Sequence, residues 1–227
     1  MRTLVAKEIF STEQSYCKSL DLIVNEFHTP LCKQEQLISK QTLQCIFSNI
    51  EDIRIINREL LEALERKMDQ WTSQQELGTV FQKLVPFLKL YRDYCENYDT
   101  AINRYQEKMK DKPFAQVIQG IEQKVGGGLN LPALLIMPIQ RIPRYRLLCS
   151  ELLKYTPKDH TDYAPIQSAL GKIEAVANYI NDSIRDRQNI EKLKELQRKF
   201  SGNLPNLVKQ GRVLKKEGSL MKVCRVS

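Results

Sequence analysis

The sequence predicts an all-α protein, an elongated antiparallel bundle of about six helices that ends in a short strand-like tail. Three observations support this fold class. No glycine precedes Gly78, and Pro30 is the only proline before Pro86, so helix-breaking residues are rare early in the chain. Apolar residues recur at intervals of three, four and seven over long stretches. Hydrophobic residues form 42% of the 227 residues, which is enough for a sizeable core.

The first two predicted helices occupy residues 3–28 and 39–70. In the first, the apolar positions follow helical spacing, and Pro30 is expected to end the helix because the residue before a proline avoids helical geometry. In the second, isoleucines and leucines form the apolar stripe, and Ser39 is the predicted N-cap. Both stretches therefore read as long amphipathic helices that bury one face.

The middle of the chain is divided by prolines and glycines. A third helical pattern begins near Glu76 and is expected to kink or restart at Pro86. A shorter helix is predicted over residues 114–124. The three consecutive glycines at 126–128 form the clearest loop signal in the chain.

The last third begins with a densely apolar segment, residues 131–157, that contains three prolines. It is interpreted as a helix that tolerates kinks because it is buried on most sides. A final long helix is predicted over residues 163–200. Beyond it, glycines and a short alternating stretch resemble a linker that leads to a strand, and an isolated strand is not stable. The predicted division is residues 1–199 and residues 200–227.

Composition limits the classes of function. The net charge of +8 fits an anionic membrane, an acidic protein partner or nucleic acid, or it simply keeps a helical surface soluble. Basic and acidic residues alternate along the helices, which argues against the unopposed basic face that nucleic acid requires. The six cysteines are scattered without a C-x-x-C pair, and only two histidines are present, so we expect reduced thiols and no metal site.

The common catalytic and cofactor motifs are absent from the sequence. There is no P-loop, G-x-S-x-G, H-E-x-x-H or EF-hand pattern, so no covalent chemistry and no cofactor are expected. No apolar run of 18 residues and no signal peptide are found, which leads us to expect a cytoplasmic protein.

One segment carries a specific resemblance. The stretch LLIMPIQRIPRYRLLCSELLKYTP, residues 134–157, contains P-[IV]-Q-R-[IV]-x-[RK]-Y from Pro138 to Tyr145. It resembles the third conserved region of the Dbl homology domain, the module with which guanine nucleotide exchange factors act on Rho-family GTPases. Two prolines inside an apolar helix are otherwise costly, which makes the signal specific.

Three further blocks agree in order and spacing. EIFSTEQSYCKSL, residues 8–20, is similar to the first conserved region, and FLKLYRDYCENYDTA, residues 87–101, to the second. YINDSIR, residues 179–185, is similar to the family's last long helix. The resemblance covers about residues 1–200, and the tail QGRVLKKEGSLMKV, residues 210–223, resembles the entry into a pleckstrin homology domain that would continue beyond this chain.

The resemblance implies a set of GTPase-binding residues. Glu13 would accept hydrogen bonds from the first switch loop of the GTPase, whereas without the resemblance it would be read as a helix-surface glutamate paired with a neighbour. Asn181 and Asp182 would lie at the switches, with the alternative that they are ordinary solvated residues. Gln140 and Arg141 would either contact the partner or order the bundle internally.

Two further positions bear on activity and specificity. Many family members have lysine where this chain has Met137, so one charged contact with the GTPase is lost. Arg185 and Arg187 would meet acidic residues that distinguish one GTPase from another, or would simply be solvated. Arg144 and Tyr145 are expected to be structural.

The predicted function is therefore exchange of guanine nucleotide on a Rho-family small GTPase (Rac, Cdc42 or Rho), by expulsion of magnesium and GDP through binding alone. The alternatives are a Dbl-like scaffold without exchange activity, and a helical protein that binds membrane or nucleic acid through its charge. The implied partners are the GTPase and, through the remainder of the pleckstrin homology domain, phosphoinositides, with recruitment to membrane or actin cytoskeleton and no role for nucleic acid.

Overall fold

The computed structural model describes residues 1–72, 74–200, 206–209, 211–216 and 218, and only the backbone of Arg187. Every regular element among these residues is helical, which confirms the predicted all-α class. The chain divides into two compact units, Met1–Ile180 and Asn181–Ser227. The helices are α1 (Arg2–Leu22), continued by a π-helical segment (Ile23–His28) and α2 (Thr29–Cys32), then α3 (Lys40–Phe47), α4 (Ile50–Met68), α5 (Gly78–Leu84), a 3₁₀ turn (Val85–Phe87), α6 (Leu90–Lys108), α7 (Lys112–Val125), α8 (Leu131–Leu135), α9 (Met137–Lys154) and α10 (Tyr163–Lys199).

The prediction that Pro30 ends the first helix is wrong. The helix passes through a π-helical segment, Ile23–His28, and continues as α2 to Cys32. Proline lacks the N–H of the regular ladder and its ring crowds the carbonyl four residues earlier. The wider π turn relieves this conflict, because it changes the hydrogen-bond register just before the proline.

The second predicted helix is broken in two. Ser39 caps α3 as predicted, since its side chain accepts a hydrogen bond from the Thr42 N–H at 3.2 Å. At Ser48, however, the backbone takes φ 52°, and α4 starts afresh at Ile50. The adjacent Asn49 side chain donates to the Leu90 carbonyl at 2.9 Å, so a tertiary contact holds the break in place.

Other local predictions are confirmed. The pattern from Glu76 forms α5, a 3₁₀ turn that contains Pro86, and α6. The three glycines at 126–128 form a loop in which all three have positive φ.

The strand predicted in the tail is not found among the described residues. Residues 206–209 and 211–216 form no strand, and the rest of the predicted strand lies outside the described residues.

The core of the first unit is built where α1 packs on α4 and α9, and where α6 packs on α3 and α9. Large side chains fill it and are fully buried, including Phe27, Phe47, Phe81, Tyr91 and Tyr145. Asp162, also fully buried, accepts hydrogen bonds from the backbone N–H groups of Leu77 (2.9 Å) and Gly78 (2.7 Å) at the start of α5.

Two other details fix the start of α5. The Arg2 side chain forms an ion pair with Asp162 at 2.7 Å, which ties α1 to the beginnings of α5 and α10. A Cβ at position 78 would lie 2.5 Å from the Ile166 backbone nitrogen, so only glycine fits there. These contacts hold the N-terminal end of α1 in place. They thereby also hold the α1–α9 face, the surface where Glu8, Ser11 and Ser15 of α1 lie beside Gln140, Arg144 and Leu147 of α9.

Candidate functional site

Residues 131–157, which include the segment with the most specific resemblance, form α8 and α9. The prediction that this segment is buried on most sides is wrong for α9. Its inner face holds Ile142, Tyr145 and Leu152 in the core, while Pro143 and Leu147 are exposed. Pro143, the proline inside α9, lies on the exposed face of the helix, and on such a face a carbonyl without a helical partner can hydrogen-bond to water. The exposed face is therefore available to a partner.

A surface cavity of about 520 Å³ lies between α1 and α9. On α1, residues four apart lie above one another on one face, and on α9, residues three and four apart do the same. The wall of the cavity combines hydroxyl groups, long polar side chains and apolar atoms. It is lined by Ser11, Thr12, Ser15, Tyr16 and Ser19 from α1 and by Met137, Gln140, Arg141, Pro143, Arg144 and Leu147 from α9.

Glu13 does not face this cavity but lies in the core beneath it, with no exposed surface. Its carboxylate forms an ion pair with Arg141 and lies 2.8 Å from the Tyr145 hydroxyl. The Arg141 guanidinium is only 6% exposed and stacks between the rings of Tyr16 and Tyr145, at 5.1 and 4.5 Å from their centroids. The pair is therefore a buried, shielded link between α1 and α9.

The link continues into α4 and α6. The Tyr145 hydroxyl also lies 2.7 Å from Asn57 Oδ1, so its single proton is donated to one of two acceptors. The Asn57 amide donates to the Tyr91 hydroxyl at 2.7 Å, which in turn lies 3.1 Å from the Tyr16 hydroxyl. Six residues from four helices, Glu13, Tyr16, Asn57, Tyr91, Arg141 and Tyr145, are thus joined by hydrogen bonds in the core.

The electrostatics of the pair follow from burial. Burial raises the pKa of Glu13, and the Arg141 charge and the hydrogen bonds from Arg141 and Tyr145 oppose that rise. Burial lowers the pKa of Arg141, but Tyr145 and Glu13 raise it by more, so its pKa is above the usual value and the guanidinium stays charged. Removing either partner would leave the charge of the other buried without a counter-ion.

The structure places Glu13 differently from both interpretations of it, and it gives Arg141 an ion-pair partner inside the bundle. Glu13 offers no exposed atom to a GTPase, and it is not a helix-surface glutamate either. Arg141 forms its ion pair inside the bundle, and the small part of its side chain that is exposed lines the cavity. The reason is that the signature places an arginine on the inner face of α9, directly opposite the one carboxylate on the inner face of α1.

Sequence reasoning missed Glu8, which is exposed and forms an ion pair with Arg144 at 2.8 Å. This pair crosses from α1 to α9 beside the cavity. A signal was present, because Glu8 lies three and seven residues before Ser11 and Ser15 and so belongs to the same face of α1. Gln140, in contrast, is exposed at the cavity, as a contact with a partner would require, and Met137 is half-buried there.

The remaining predicted residues belong to the second unit. Asn181, Asp182 and Arg185 are all exposed on α10, and Asp182 pairs with Arg185 at 3.1 Å. The side chain of Arg187 lies outside the described residues. The structure therefore brings Met137, Gln140 and Arg141 together at one cavity and places the other three on an exposed stretch of helix.

The described ranges contain no candidate metal centre and no candidate membrane span. Among these residues, no three His, Cys, Asp or Glu side chains lie close enough to hold a metal ion. Within the same ranges, no helix has the length and apolar character needed to cross a bilayer.

The profile of the RhoGEF domain matches residues 5–181, more than three quarters of the chain. The chain belongs to the RhoGEF domain family. Curated relatives agree. The chain is 36% identical over 221 residues to "Guanine exchange factor for Rac 30" of Dictyostelium discoideum, covering 97% of this chain and 13% of that protein. It is 34% identical over 228 residues to "FYVE, RhoGEF and PH domain-containing protein 6" of Mus musculus, covering 97% and 16%.

Solved structures share the fold of this RhoGEF domain. A structure of autoinhibited Vav1 superposes with a TM-score of 0.81 at 24% identity, covering 91% of this chain and 38% of that one. The PDZ-RhoGEF DH/PH domains in complex with activated RhoA give 0.76 at 21% identity, covering 87% and 57%. The chain spans only part of the curated relatives that it matches, from 13% to 30% of their length in the examples compared.

Proposed function

We propose that this RhoGEF domain exchanges guanine nucleotide on a Rho-family GTPase of the Rac, Cdc42 or Rho type, and that it does so by binding alone. The observation that carries the proposal is the family match over residues 5–181, which includes both helices of the α1–α9 face. That face is a wide, exposed groove with mixed polar and apolar walls.

The α1–α9 face has the properties of a protein-binding surface. Exposed apolar side chains stand beside the Glu8–Arg144 pair, with Leu4 61% and Leu147 57% exposed. Charged pairs at the surface rearrange at low cost, so Glu8 can exchange Arg144 for donors on a partner. We assign to Glu8 the role of hydrogen-bond acceptor that the resemblance had suggested for Glu13, and to Gln140 a second polar contact.

We also propose a GTPase contact on α10, in the second unit. Asn181 can both donate and accept through its amide, which suits a mobile loop that presents backbone groups. Asp182 and Arg185 form an exposed pair whose members can each find a partner of opposite charge. We propose that these three residues contact the switch loops, and that Arg185 contributes to the choice of GTPase.

The mechanism is thermodynamic coupling. A GTPase holds its nucleotide through its P-loop and an octahedrally coordinated magnesium ion. A domain that binds best to switch loops withdrawn from the magnesium lowers the affinity for nucleotide, and nucleotide lowers the affinity for the domain by the same factor. Each tenfold increase in release requires about 1.4 kcal/mol of barrier reduction. New GTP then displaces the domain.

The test is release of a fluorescent GDP analogue from a panel of Rac, Cdc42 and Rho proteins. Glu8→Ala and Asn181→Ala are expected to slow release at least about thirtyfold, the size of a contact hot spot. Glu107→Ala removes an exposed, ion-paired glutamate on α6 and is expected to leave the rate unchanged. Wild-type rates in both site variants would refute the assignment.

One observation favours the scaffold alternative. Met137 stands at the cavity where many family members have lysine, so a charged contact is missing. A chain that binds nucleotide-free GTPase but accelerates release from no member of the panel would be such a scaffold. If Met137→Lys then restored release, the missing charge would be its cause.

We further propose that residues 200–227 lead into a pleckstrin homology domain, and that the protein acts in the cytoplasm with recruitment to membrane or actin. The resemblance of residues 210–223 supports this division, and one relative bears RhoGEF and PH domains in its name. Expression of a longer chain and its binding to phosphoinositides would test the proposal.

A further inference from the structure

The charge of the chain is concentrated in its second unit. Asn181–Ser227 contains twelve Lys and Arg residues against five Asp and Glu, a net charge of +7. Met1–Ile180 contains 23 against 22, a net charge of +1. The overall charge of +8 is therefore not a general solubilising charge but belongs almost entirely to the last 47 residues. Such a concentration indicates an anionic partner.

Much of this charge is exposed and has no acidic partner. Exposed pairs neutralise Arg185, Lys194 and Lys199 in part, through Asp182, Glu191 and Glu195. Six other basic residues are exposed and form no ion pair among the residues that the structure describes. They are Lys192, Arg198, Lys209, Arg212, Lys215 and Lys216.

The tail is held beside α10 rather than left apart from it. The Asn189 amide donates to the Arg212 carbonyl at 3.0 Å and its Oδ1 accepts from the Leu214 N–H at 3.3 Å. Farther along α10, Gln197 Oε1 accepts from the Leu207 N–H at 2.6 Å. Because position 197 pairs with 207 and position 189 with 212–214, the tail runs antiparallel to α10. Lys209, Lys215 and Lys216 are therefore held next to the basic helix.

Exposed apolar side chains accompany the charge. Phe200 is 54% and Val213 51% exposed, directly after Lys199 and Arg212 respectively. A bilayer surface matches this combination, since basic residues meet the anionic headgroups while aromatic and aliphatic side chains enter the headgroup region. Phosphates of a nucleic acid would use the charge but leave the exposed Val213 without a partner.

We propose that the second unit, through α10 and the tail that packs on it, is a docking surface for an anionic lipid bilayer. The lysines without ion pairs supply the attraction, and Phe200 and Val213 enter the interface. This surface uses residues of the present chain and does not need a complete pleckstrin homology domain. Its residues, from Lys192 onward, follow Asn181, Asp182 and Arg185 along α10 and differ from all the residues assigned to the GTPase.

The test uses the whole chain and co-sedimentation with vesicles of phosphatidylcholine alone or with about 30 mol% phosphatidylserine. Binding is expected only to the anionic vesicles and should weaken strongly as salt is raised from about 0.1 to 0.5 M. The variant Lys209→Glu, Lys215→Glu, Lys216→Glu is expected to bind about a hundredfold more weakly, since each lost positive charge costs about fivefold.

A matched control separates local from total charge. Lys89→Glu, Lys110→Glu, Lys158→Glu alters three exposed lysines without ion pairs in the first unit and changes the net charge equally. It should retain binding within about threefold. Equal losses in both triple variants, or equal binding to neutral vesicles, would overturn the proposal. Tighter binding to a short single-stranded RNA than to anionic vesicles at equal salt would assign the surface to nucleic acid instead. Circular dichroism of both variants should show unchanged helical content.

Discussion

Replacing Glu13 with alanine tests whether this residue holds the bundle together or touches a partner. In the structure its carboxylate is fully buried, forms an ion pair with Arg141 and lies 2.8 Å from the Tyr145 hydroxyl. Alanine would leave the Arg141 charge buried without its counter-ion. Breaking a buried pair in this way costs about 3 to 5 kcal/mol.

That cost is large compared with the stability of a domain, which is about 5 to 15 kcal/mol in total. For a domain of this size it corresponds to a fall in melting temperature of about 6 to 20 °C. Urea unfolding followed by far-UV circular dichroism measures the free energy directly. Glu8→Ala provides the matched control, since it breaks an exposed pair and should change the free energy by less than about 1 kcal/mol.

A second variant keeps the argument testable if Glu13→Ala does not fold. Glu13→Leu combined with Arg141→Met replaces the pair with apolar side chains of similar length. The free energy of unfolding of this double variant should lie within about 2 kcal/mol of the wild-type value. The reasoning is refuted if Glu13→Ala keeps the wild-type free energy of unfolding yet no longer exchanges nucleotide. Glu13 would then be a direct contact, as the resemblance alone had suggested.

Two further predictions concern other buried groups. Asp162→Ala removes the counter-ion of Arg2 and the acceptor of two backbone N–H groups, so we expect the free energy of unfolding in urea to fall by about 3 to 5 kcal/mol. Asp159→Ala, which removes an exposed carboxylate, should leave it unchanged, and equal values for the two variants would contradict the assigned network. Burial raises the pKa of Cys95 to about 12, so at pH 8 its thiolate fraction should be about a thousandfold below that of an ordinary thiol. Its alkylation rate, measured by peptide mass mapping, should fall in proportion, and alkylation of Cys95 in the folded protein as fast as that of the exposed Cys32 would contradict this.

Some features could be predicted because they depend on neighbouring residues in the chain. The N-cap at Ser39, the restart at Pro86 and the loop at Gly126 follow from hydrogen bonding and φ preferences within a few residues. The apolar spacing gave the helices for the same reason. The family resemblance rested on residues 134–157, whose prolines are unusual in any other helical context.

Other features depend on what approaches from elsewhere in the chain. The break at Ser48 is held by the contact between Asn49 and the Leu90 carbonyl, and no local pattern contains that contact. Periodicity placed Glu13 beside the apolar stripe, but whether it faces a partner or the core depended on Arg141, 128 residues later. The exposed Glu8 was overlooked for the converse reason, since its role appears only when α9 lies alongside.

The sequence by itself determined the helical class, the family and the position of the excess positive charge, because composition, spacing and motifs are properties of the chain alone. Tertiary structure decided which charged residues are buried and which are exposed. A carboxylate in the core requires a counter-ion, and only the packing of α1 on α9 shows that Arg141 meets Glu13 while Glu8 and Arg144 remain at the surface.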